Sequence, residues 1–334
     1  MKPSRHIAVL LVALLMNANS TLLLAGGGDK KKDVNAIGDR KVAHRSIISQ
    51  EKEIAYGKQY STEIDHTAKM VTDPVVNEFV NRLAQNIARN SDLTIPLTVK
   101  VIDDPSLNAF ALPGGFLYVN SGLLLAADEE AQVAGVVAHE IAHAAARHWA
   151  SQMTKASLLQ YLMIPLIFVP MSYPVYIGAS QALNFGIPIA FLKFSRSAEA
   201  EADMLGLQYM YKAGYDPSAY VTFFGKIIEQ DRRSPGAVPT AFSSHPPTPD
   251  RIVNSEKEIK EILPKREQYL VSTSEFDDVK ARLQSIMTLK KKDKKEGPTL
   301  RKREATDTTT ADSGTQGQSK DDGEDKPPVL RRRD

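Results

Sequence analysis

Apolar residues between positions 129 and 149 recur at the spacing of an α-helix, and no proline interrupts them. The residues that keep this spacing are Val133, Val136, Val137, Ile141 and Ala144. We therefore predict one helix from Glu129 to Trp149. Two histidines of this helix, His139 and His143, fall on the same face, because residues four apart on a helix lie one above the other.

The two histidines belong to the motif His-Glu-x-x-His. Two imidazoles at this spacing can hold one zinc ion, and Glu140 lies one residue round the helix, where its carboxylate can reach a water beside the metal. An amphipathic helix with a surface histidine pair is the simpler alternative. The helix is apolar on both sides of the motif, however, and two histidines and a glutamate in a buried helix need partners. The sequence therefore predicts one Zn²⁺ per chain.

A second predicted helix supplies the third ligand that a zinc hydrolase needs. It starts in the segment Ser-Arg-Ser-Ala-Glu-Ala-Glu-Ala-Asp at 195–203, where Glu199 and Asp203 share a face. We expect Glu199 to bind zinc and Asp203 to accept the far N–H of a ligand histidine. Glu201 fits a solvated acidic face.

Together, the His-Glu-x-x-His motif and the acidic segment at 195–203 resemble the M48 family of zinc metalloproteases. The resemblance covers about residues 51–251 and implies that Glu199 is the third ligand. It also implies roles for Asn108, which precedes the predicted helix 129–149 (the zinc helix), and for His245 and Arg251, which follow it. That family includes the CAAX-processing proteases, a heat-shock membrane protease and periplasmic quality-control proteases.

Two roles for His245 follow from the resemblance and differ physically. With Arg251 it can stabilise the oxyanion of the transition state, which requires that it stand off the metal. As a fourth metal ligand it would instead close the site, and a closed tetrahedral site is not catalytic. In that second case the enzyme is latent, and the loop over 232–244 is the hinge that releases it.

The pattern before the zinc helix predicts a small sheet. A strand is expected over 97–102, followed by a hairpin over 108–120 that turns at 113–115. We expect the second hairpin strand to be an exposed edge that binds substrate as an added strand. Its residues are Phe116, Leu117, Tyr118, Val119 and Asn120. Asn108 either turns its amide toward substrate or caps the turn after Pro105.

The predicted fold is therefore α+β, a mainly helical zincin-like domain with one small β-sheet beside the zinc helix. We assign residues 1–25 to a signal peptide or N-terminal anchor, since Lys2 and Arg5 precede an apolar core. Residues 26–48 are predicted to be a linker, 49–288 the peptidase domain and 289–334 a disordered charged tail. Helices are expected to begin after the caps Ser49, Asp73, Ser274 and either Thr248 or Asp250.

Residues 158–192 contain no charged residue and no histidine, but they contain four prolines. A single regular membrane-spanning helix is therefore not expected. Three interpretations remain open: a helical hairpin that dips into a membrane, a lid over the cleft, or plain core.

The net charge and the absence of cysteine exclude some classes of function. A formal net charge of +2 gives no reason to expect nucleic acid, and the absence of cysteine excludes disulfides and thiolate metal sites. We predict a periplasmic or secreted zinc endopeptidase of a bacterial-type cell envelope that acts on unfolded or unassembled proteins. If residues 158–192 dip into a membrane, they would also supply a peripheral membrane contact. The alternatives are a non-proteolytic chaperone or assembly factor and a membrane-embedded processing protease.

Overall fold

The computed structural model describes residues 28–167, 193–233, 245–246 and 248–295. Its strands are β1 (Thr98–Ile102), β2 (Ala109–Leu112) and β3 (Phe116–Asn120). Its helices are α1 (Gly28–Lys32), α2 (Gln50–Thr67), α3 (Pro74–Arg89), α4 (Ser121–Ala126), α5 (Glu130–Ala145), α6 (His148–Ile167), α7 (Arg196–Ala213), α8 (Ser218–Arg233), α9 (Pro249–Ile262) and α10 (Ser274–Lys295). The predicted α+β class, mainly helical with one small sheet, is confirmed.

Helix α5 is the centre of the core. Every residue in it except Ala144 is buried, because α3, α7, α8 and β2 all pack around it. Helix α7 comes closest at Gly206, where an added Cβ would lie 3.1 Å from the backbone nitrogen of His139. Such a gap is tighter than most Cβ contacts, so the missing side chain of Gly206 brings the acidic segment of α7 against the zinc helix.

The predicted helix 129–149 is wrong at its C-terminal end. Helix α5 stops at Ala145, Arg147 takes a left-handed conformation with φ of 56°, and α6 begins at His148. A left-handed arginine is uncommon and needs support from its surroundings. Arg147 has it, because its guanidinium bonds the Glu53 carboxylate at 2.8 Å and the Ile48 carbonyl at 2.8 Å.

The sheet has the order β1–β3–β2. The predicted hairpin is confirmed, with Gly114 and Gly115 at φ of 77° and 86° in its turn. The predicted edge is wrong, because Phe116–Asn120 is the central strand, parallel to β1 and antiparallel to β2. Strand addition at β3 is therefore excluded. The outer strand beside α5 is β2.

Most predicted helix starts are confirmed. Side-chain oxygens cap the first turns of α2, α3, α7 and α9, and the capping residues are Ser49, Asp73, Ser195 and Thr248. The prediction for Ser274 is wrong by one residue, since the Thr273 hydroxyl accepts from the Phe276 backbone N–H. Helix α10 also continues to Lys295, past the expected start of the tail at 289.

The predicted linker at 26–48 packs against the domain. Val34 and Val42 join the core, and the ion pair between Arg40 and Asp92 has both side chains 1% exposed. The His44 backbone N–H donates to the Ala146 carbonyl, next to the break between α5 and α6. We call residues 30–48 the N-terminal strap. The packing of the strap was not expected from the sequence, because buried polar contacts that bridge distant positions leave no local pattern.

The predicted signal segment, the prolines beyond 167, the loop at 234–244 and the tail beyond 295 lie outside the described residues. Among the described helices, α6 included, none is both long and apolar enough to cross a membrane.

Candidate metal centre

Four buried side chains from three regions of the chain meet against α5. His139 and His143 come from α5, Glu199 from the first turn of α7, and His245 from the segment before α9. One nitrogen or oxygen atom from each lies within 4.8 Å of the others. The structure thus brings the three predicted ligands to one point. His245, for which two roles were open, lies at the same point.

The spacing of these atoms fits a single ion. The two Nε2 atoms of His139 and His143 are 3.1 Å apart, and each lies 3.5 Å from a carboxylate oxygen of Glu199. Ligand atoms about 2.0–2.1 Å from a tetrahedral zinc would be separated by about 3.4 Å. The donor set, two imidazoles and one carboxylate, is also one that zinc prefers. The residues therefore fit a zinc ion.

Glu140 lies beside these ligands and, among the described residues, only one of its two carboxylate oxygens accepts a hydrogen bond. Its Oε2 accepts the Ala111 backbone N–H at 3.0 Å, whereas its buried Oε1 has no hydrogen-bond partner within the described part of the chain. That Oε1 lies 3.8 Å from His245 Nε2. A buried carboxylate oxygen without a partner is costly. This oxygen is therefore placed to accept a proton from a molecule that enters the site.

Asp203 fixes the orientation of His139. The His139 Nδ1 lies 3.0 Å from Asp203 Oδ1, so the ring donates its Nδ1 hydrogen to Asp203 and directs Nε2 into the ligand cluster. Burial raises the pKa of Asp203, but hydrogen bonds from Arg251 and His139 outweigh burial and lower that pKa to about 2. The carboxylate is therefore charged at neutral pH, as this orienting role requires.

Arg251 is engaged on every N–H, which differs from the predicted oxyanion role. Its Nε and Nη2 bond the Asp203 carboxylate at 2.8 and 2.7 Å, Nη2 also donates to the Tyr220 hydroxyl, and Nη1 donates to the carbonyls of His245 and Pro246. In this geometry all five N–H groups of Arg251 are used within the protein, so none points to a free position for an oxyanion. Arg251 instead ties the His245 backbone to Asp203.

His245 lies among the ligand atoms. Its Nδ1 is 2.8 Å from Glu199 Oε1 and 3.5 Å from His139 Nε2, and the residue is 2% exposed. A ring nitrogen at this position is close enough to serve as the fourth ligand, the second of the two roles described from the sequence.

The pKa values of the two α5 histidines are shifted in opposite directions. Burial lowers the pKa of His143, and the adjacent His139 and His245 lower it further, so this ring is neutral and can bind metal. Burial also lowers the pKa of His139, but its bonds to Asp203 and Glu199 outweigh that effect and raise the pKa to about 9. Binding of a cation at Nε2 would therefore release the proton that His139 holds at neutral pH.

The predicted substrate residues of β3 are placed elsewhere. Leu117 and Val119 are in the main core, and the Tyr118 hydroxyl bonds Ser61 at 2.7 Å, away from the ligand atoms. The Asn120 amide donates to the Ser106 hydroxyl at 2.6 Å. The side-chain Oδ1 of Asn108 is buried without a partner in the described chain, so it does not cap the turn after Pro105.

The comparison with known sequences agrees with this geometry. A profile of peptidase family M48 matches residues 72–259, more than half of the chain. The chain belongs to peptidase family M48.

Two groups of relatives are similar to this chain in sequence. The chain is 28% identical over 243 residues to the beta-barrel assembly-enhancing protease of Escherichia coli (strain K12), a match that covers 71% of this chain and 49% of that protein. It is 34% identical over 193 residues to the mitochondrial metalloendopeptidase OMA1 of Schizosaccharomyces pombe, with 57% and 55% covered. The chain spans about half the length of the curated relatives it matches.

Three residues around the M48 metal centre were missed from the sequence. Ala111 binds Glu140 through its backbone, and the Tyr220 hydroxyl lies 3.2 Å from His139 Nδ1. His148 has its Nδ1 2.9 Å from His143 Nδ1. None of them carries a motif, and the break at Arg147 that places His148 has no glycine or proline to signal it.

Glu201 is also not the solvated residue that the sequence predicted. Its carboxylate contacts Lys31 at 2.6 Å, His44 at 2.7 Å and His148 at 3.4 Å. Burial raises the pKa of Glu201, but the hydrogen bonds from these three side chains outweigh it and hold that pKa far below its usual range. Glu201 is therefore an anion shared between α6 and the N-terminal strap.

Proposed function

We propose that this chain is a zinc-dependent endopeptidase. The observation that supports it most strongly is the unpartnered Glu140 Oε1 beside a buried cluster of three histidines and a glutamate. A protein that used this fold only as a scaffold would gain nothing from a buried carboxylate without a partner, which destabilises the folded state.

His139, His143 and Glu199 would hold the zinc. When bound, zinc supplies a Lewis acid that polarises the scissile carbonyl and lowers the pKa of water. The oxygen of the attacking water bonds the carbonyl carbon, and Glu140 Oε1 accepts one proton of that water. Glu140 Oε1 then donates that proton to the amide nitrogen as the C–N bond breaks, which leaves a carboxylic acid and an amine.

The substrate would add as a strand to β2 rather than to β3. The Asn120 N–H donates to the Asn108 carbonyl, so the alternate residues Ala109 and Ala111 direct their backbone groups away from β3. The outward N–H of Ala111 already reaches Glu140. A peptide paired along this edge would therefore lie beside the carboxylate that acts on it.

The substrates would be unfolded or unassembled proteins of a bacterial-type cell envelope, with the chain located in the periplasm or secreted. The relative from Escherichia coli bears the name beta-barrel assembly-enhancing protease, which supports an envelope role. Extended backbone is what an edge strand recognises, and unfolded chains present it. The apolar N-terminal segment supports export.

The decisive experiment measures cleavage of an unfolded outer-membrane β-barrel protein by the purified zinc-loaded chain. The variants are wild type, H245A, which opens the fourth ligand position, and the double variant H245A/E140Q. We expect cleavage by H245A and none by the double variant, with zinc bound in both. If zinc-loaded H245A and wild type both fail to cleave, the non-proteolytic assembly factor is the better description.

A further inference from the structure

His143 has a second ring nitrogen that faces away from the metal centre. Its Nε2 belongs to the ligand cluster, and its Nδ1 lies 2.9 Å from the Nδ1 of His148. Both rings are buried, with side chains 3% exposed, so this contact is not shared with bulk water. His143 and His148 are therefore joined by one hydrogen bond between two Nδ1 atoms.

The direction of that hydrogen bond follows from the metal. If His143 uses the lone pair of Nε2 for zinc, its neutral ring carries the hydrogen on Nδ1 and must donate it. His148 Nδ1 is then the acceptor, and its own hydrogen lies on Nε2. That nitrogen is 3.4 Å from Glu201 Oε2, which accepts. Each ring can have only one tautomer in this chain of bonds.

Two residues of the N-terminal strap bind Glu201, which is the outer end of this chain of hydrogen bonds. Glu201 Oε2 also accepts from His44 Nε2 at 2.7 Å, and Glu201 Oε1 accepts from Lys31 at 2.6 Å. The strap brings these two donors from more than 150 residues away along the chain. These two bonds fix the position of the Glu201 carboxylate, so its Oε2 stays within reach of His148 Nε2.

We propose that His148 and Glu201 form a positioning relay, closed by His44 and Lys31, that fixes the Nδ1–H tautomer of His143 and so sets the affinity of the site for zinc. The inference rests on the zinc ligands of the proposed function. A carboxylate would then orient each ligand histidine. Asp203 contacts His139 directly, and Glu201 acts on His143 through His148.

Two local features hold the relay in place. The left-handed turn at Arg147 starts α6 one residue later, which returns His148 toward His143. Phe194 stacks on the His143 ring with centroids 4.3 Å apart and lies 5.9 Å from that of His148. The aromatic ring covers the contact between the two histidines and limits the access of water to it.

His44, His148 and Glu201 could also form a second cation site, since their donor atoms lie within 4.8 Å. Two observations favour the relay. Lys31 already places a positive charge on the Glu201 carboxylate. A metal on His148 Nε2 would also force the hydrogen of that ring to Nδ1, so His143 Nδ1 could no longer donate. The two ions would therefore compete.

The test compares two substitutions that separate hydrogen bonding from packing. H148F keeps the ring volume and loses the acceptor, whereas H148N loses volume but places an amide oxygen close to the position of Nδ1. Zinc affinity of the full-length chain is measured by competition with a chromophoric chelator. We expect H148F to bind zinc 10–100-fold more weakly than wild type, the usual effect of losing such a support, and H148N to lie between the two.

Packing alone would reverse this order. The relay is overturned if H148F binds zinc as tightly as wild type, or if H148N binds no more tightly than H148F. If H148F does not fold, E201Q is the deciding variant, because it keeps the shape of the Glu201 side chain and removes its charge. Weaker zinc binding by E201Q supports the relay, and unchanged binding refutes it. The matched control is H66Q, which removes an exposed histidine of α2 and should bind zinc like wild type.

Two further measurements separate the possible failures. In wild type and E201Q loaded with cobalt(II), a changed absorption spectrum in E201Q supports the relay, because the geometry at His143 has altered. A second zinc per chain that is lost in E201Q would show a cation site and overturn the relay. If wild type binds no zinc at all, the proposed function fails first, independently of His148.

Discussion

The Nδ1 of His245 lies 2.8 Å from Glu199 Oε1, closer than either histidine of α5 lies to that carboxylate. His245 is thus part of the ligand cluster and not a neighbour that faces it. The main-chain carbonyl of His245 is held by Arg251 at 3.0 Å, so the ring is fixed from both ends. We infer a latent site, in which His245 occupies the position that water and substrate need.

We predict that H245A increases proteolysis of an unfolded protein by about tenfold or more, because a closed state favoured by only about 1.4 kcal/mol already holds nine molecules in ten. The assay follows the initial cleavage rate at equal zinc content. A lower rate would instead indicate the oxyanion role, and an unchanged rate would remove His245 from the mechanism.

Zinc content should separate the ligands from the base. We predict that H139A, H143A and E199A each lose most of their zinc, since each removes one of the three permanent ligands. E140Q should keep its zinc, because the Glu140 carboxylate instead accepts from the Ala111 backbone. Metal analysis after dialysis against a weak chelator measures this. Loss of zinc in E140Q would contradict the separation of roles.

The parts of this site that depend on local spacing could be predicted from the sequence. His139, His143 and Glu199 lie at fixed positions on helices whose starts are marked by capping residues and apolar periodicity. The central position of β3 could not be predicted, because pairing on both sides depends on strands that are distant in sequence. The contact between His44 and Glu201 joins residues 157 apart, and no local pattern records it.

The close approach of α7 to α5 gives a prediction at Gly206. An alanine there would place its Cβ 3.1 Å from the backbone nitrogen of His139 and 3.2 Å from its Cα. Because backbone cannot move aside as a side chain can, α7 must shift and carry Glu199 and Asp203 with it. We expect G206A to lower the free energy of unfolding by about 1–3 kcal/mol and to weaken zinc binding. Denaturant titration and chelator competition measure the two effects.

The control for that substitution is G225A in α8. An added Cβ at Gly225 meets no atom within 4 Å, and alanine is the better helix former. We expect G225A to keep full zinc affinity and to raise the free energy of unfolding by up to about 1 kcal/mol. Equal behaviour of the two variants would show that α7 is not held close to α5 by the missing side chain.

The N-terminal strap gives the last prediction, at the ion pair between Arg40 and Asp92. Asp92 accepts from the Arg40 guanidinium at 2.9 Å, from the Gly38 N–H at 2.8 Å and from the Tyr209 hydroxyl at 2.8 Å, so one carboxylate anchors the strap to α7. Removing one partner of a buried pair leaves the other charge uncompensated, which costs about 3–5 kcal/mol. We therefore expect R40M to lower the free energy of unfolding by that amount.

The control is R233M, which breaks an exposed pair with Glu229 and should leave stability unchanged. R40M should also weaken zinc binding, because the strap carries His44 and Lys31 to Glu201 at the outer end of the relay. Denaturant unfolding of the zinc-free chain measures the first effect and chelator competition the second. If R40M is strongly destabilised but binds zinc like wild type, the strap supports the fold alone and its contact with Glu201 does not reach the metal centre.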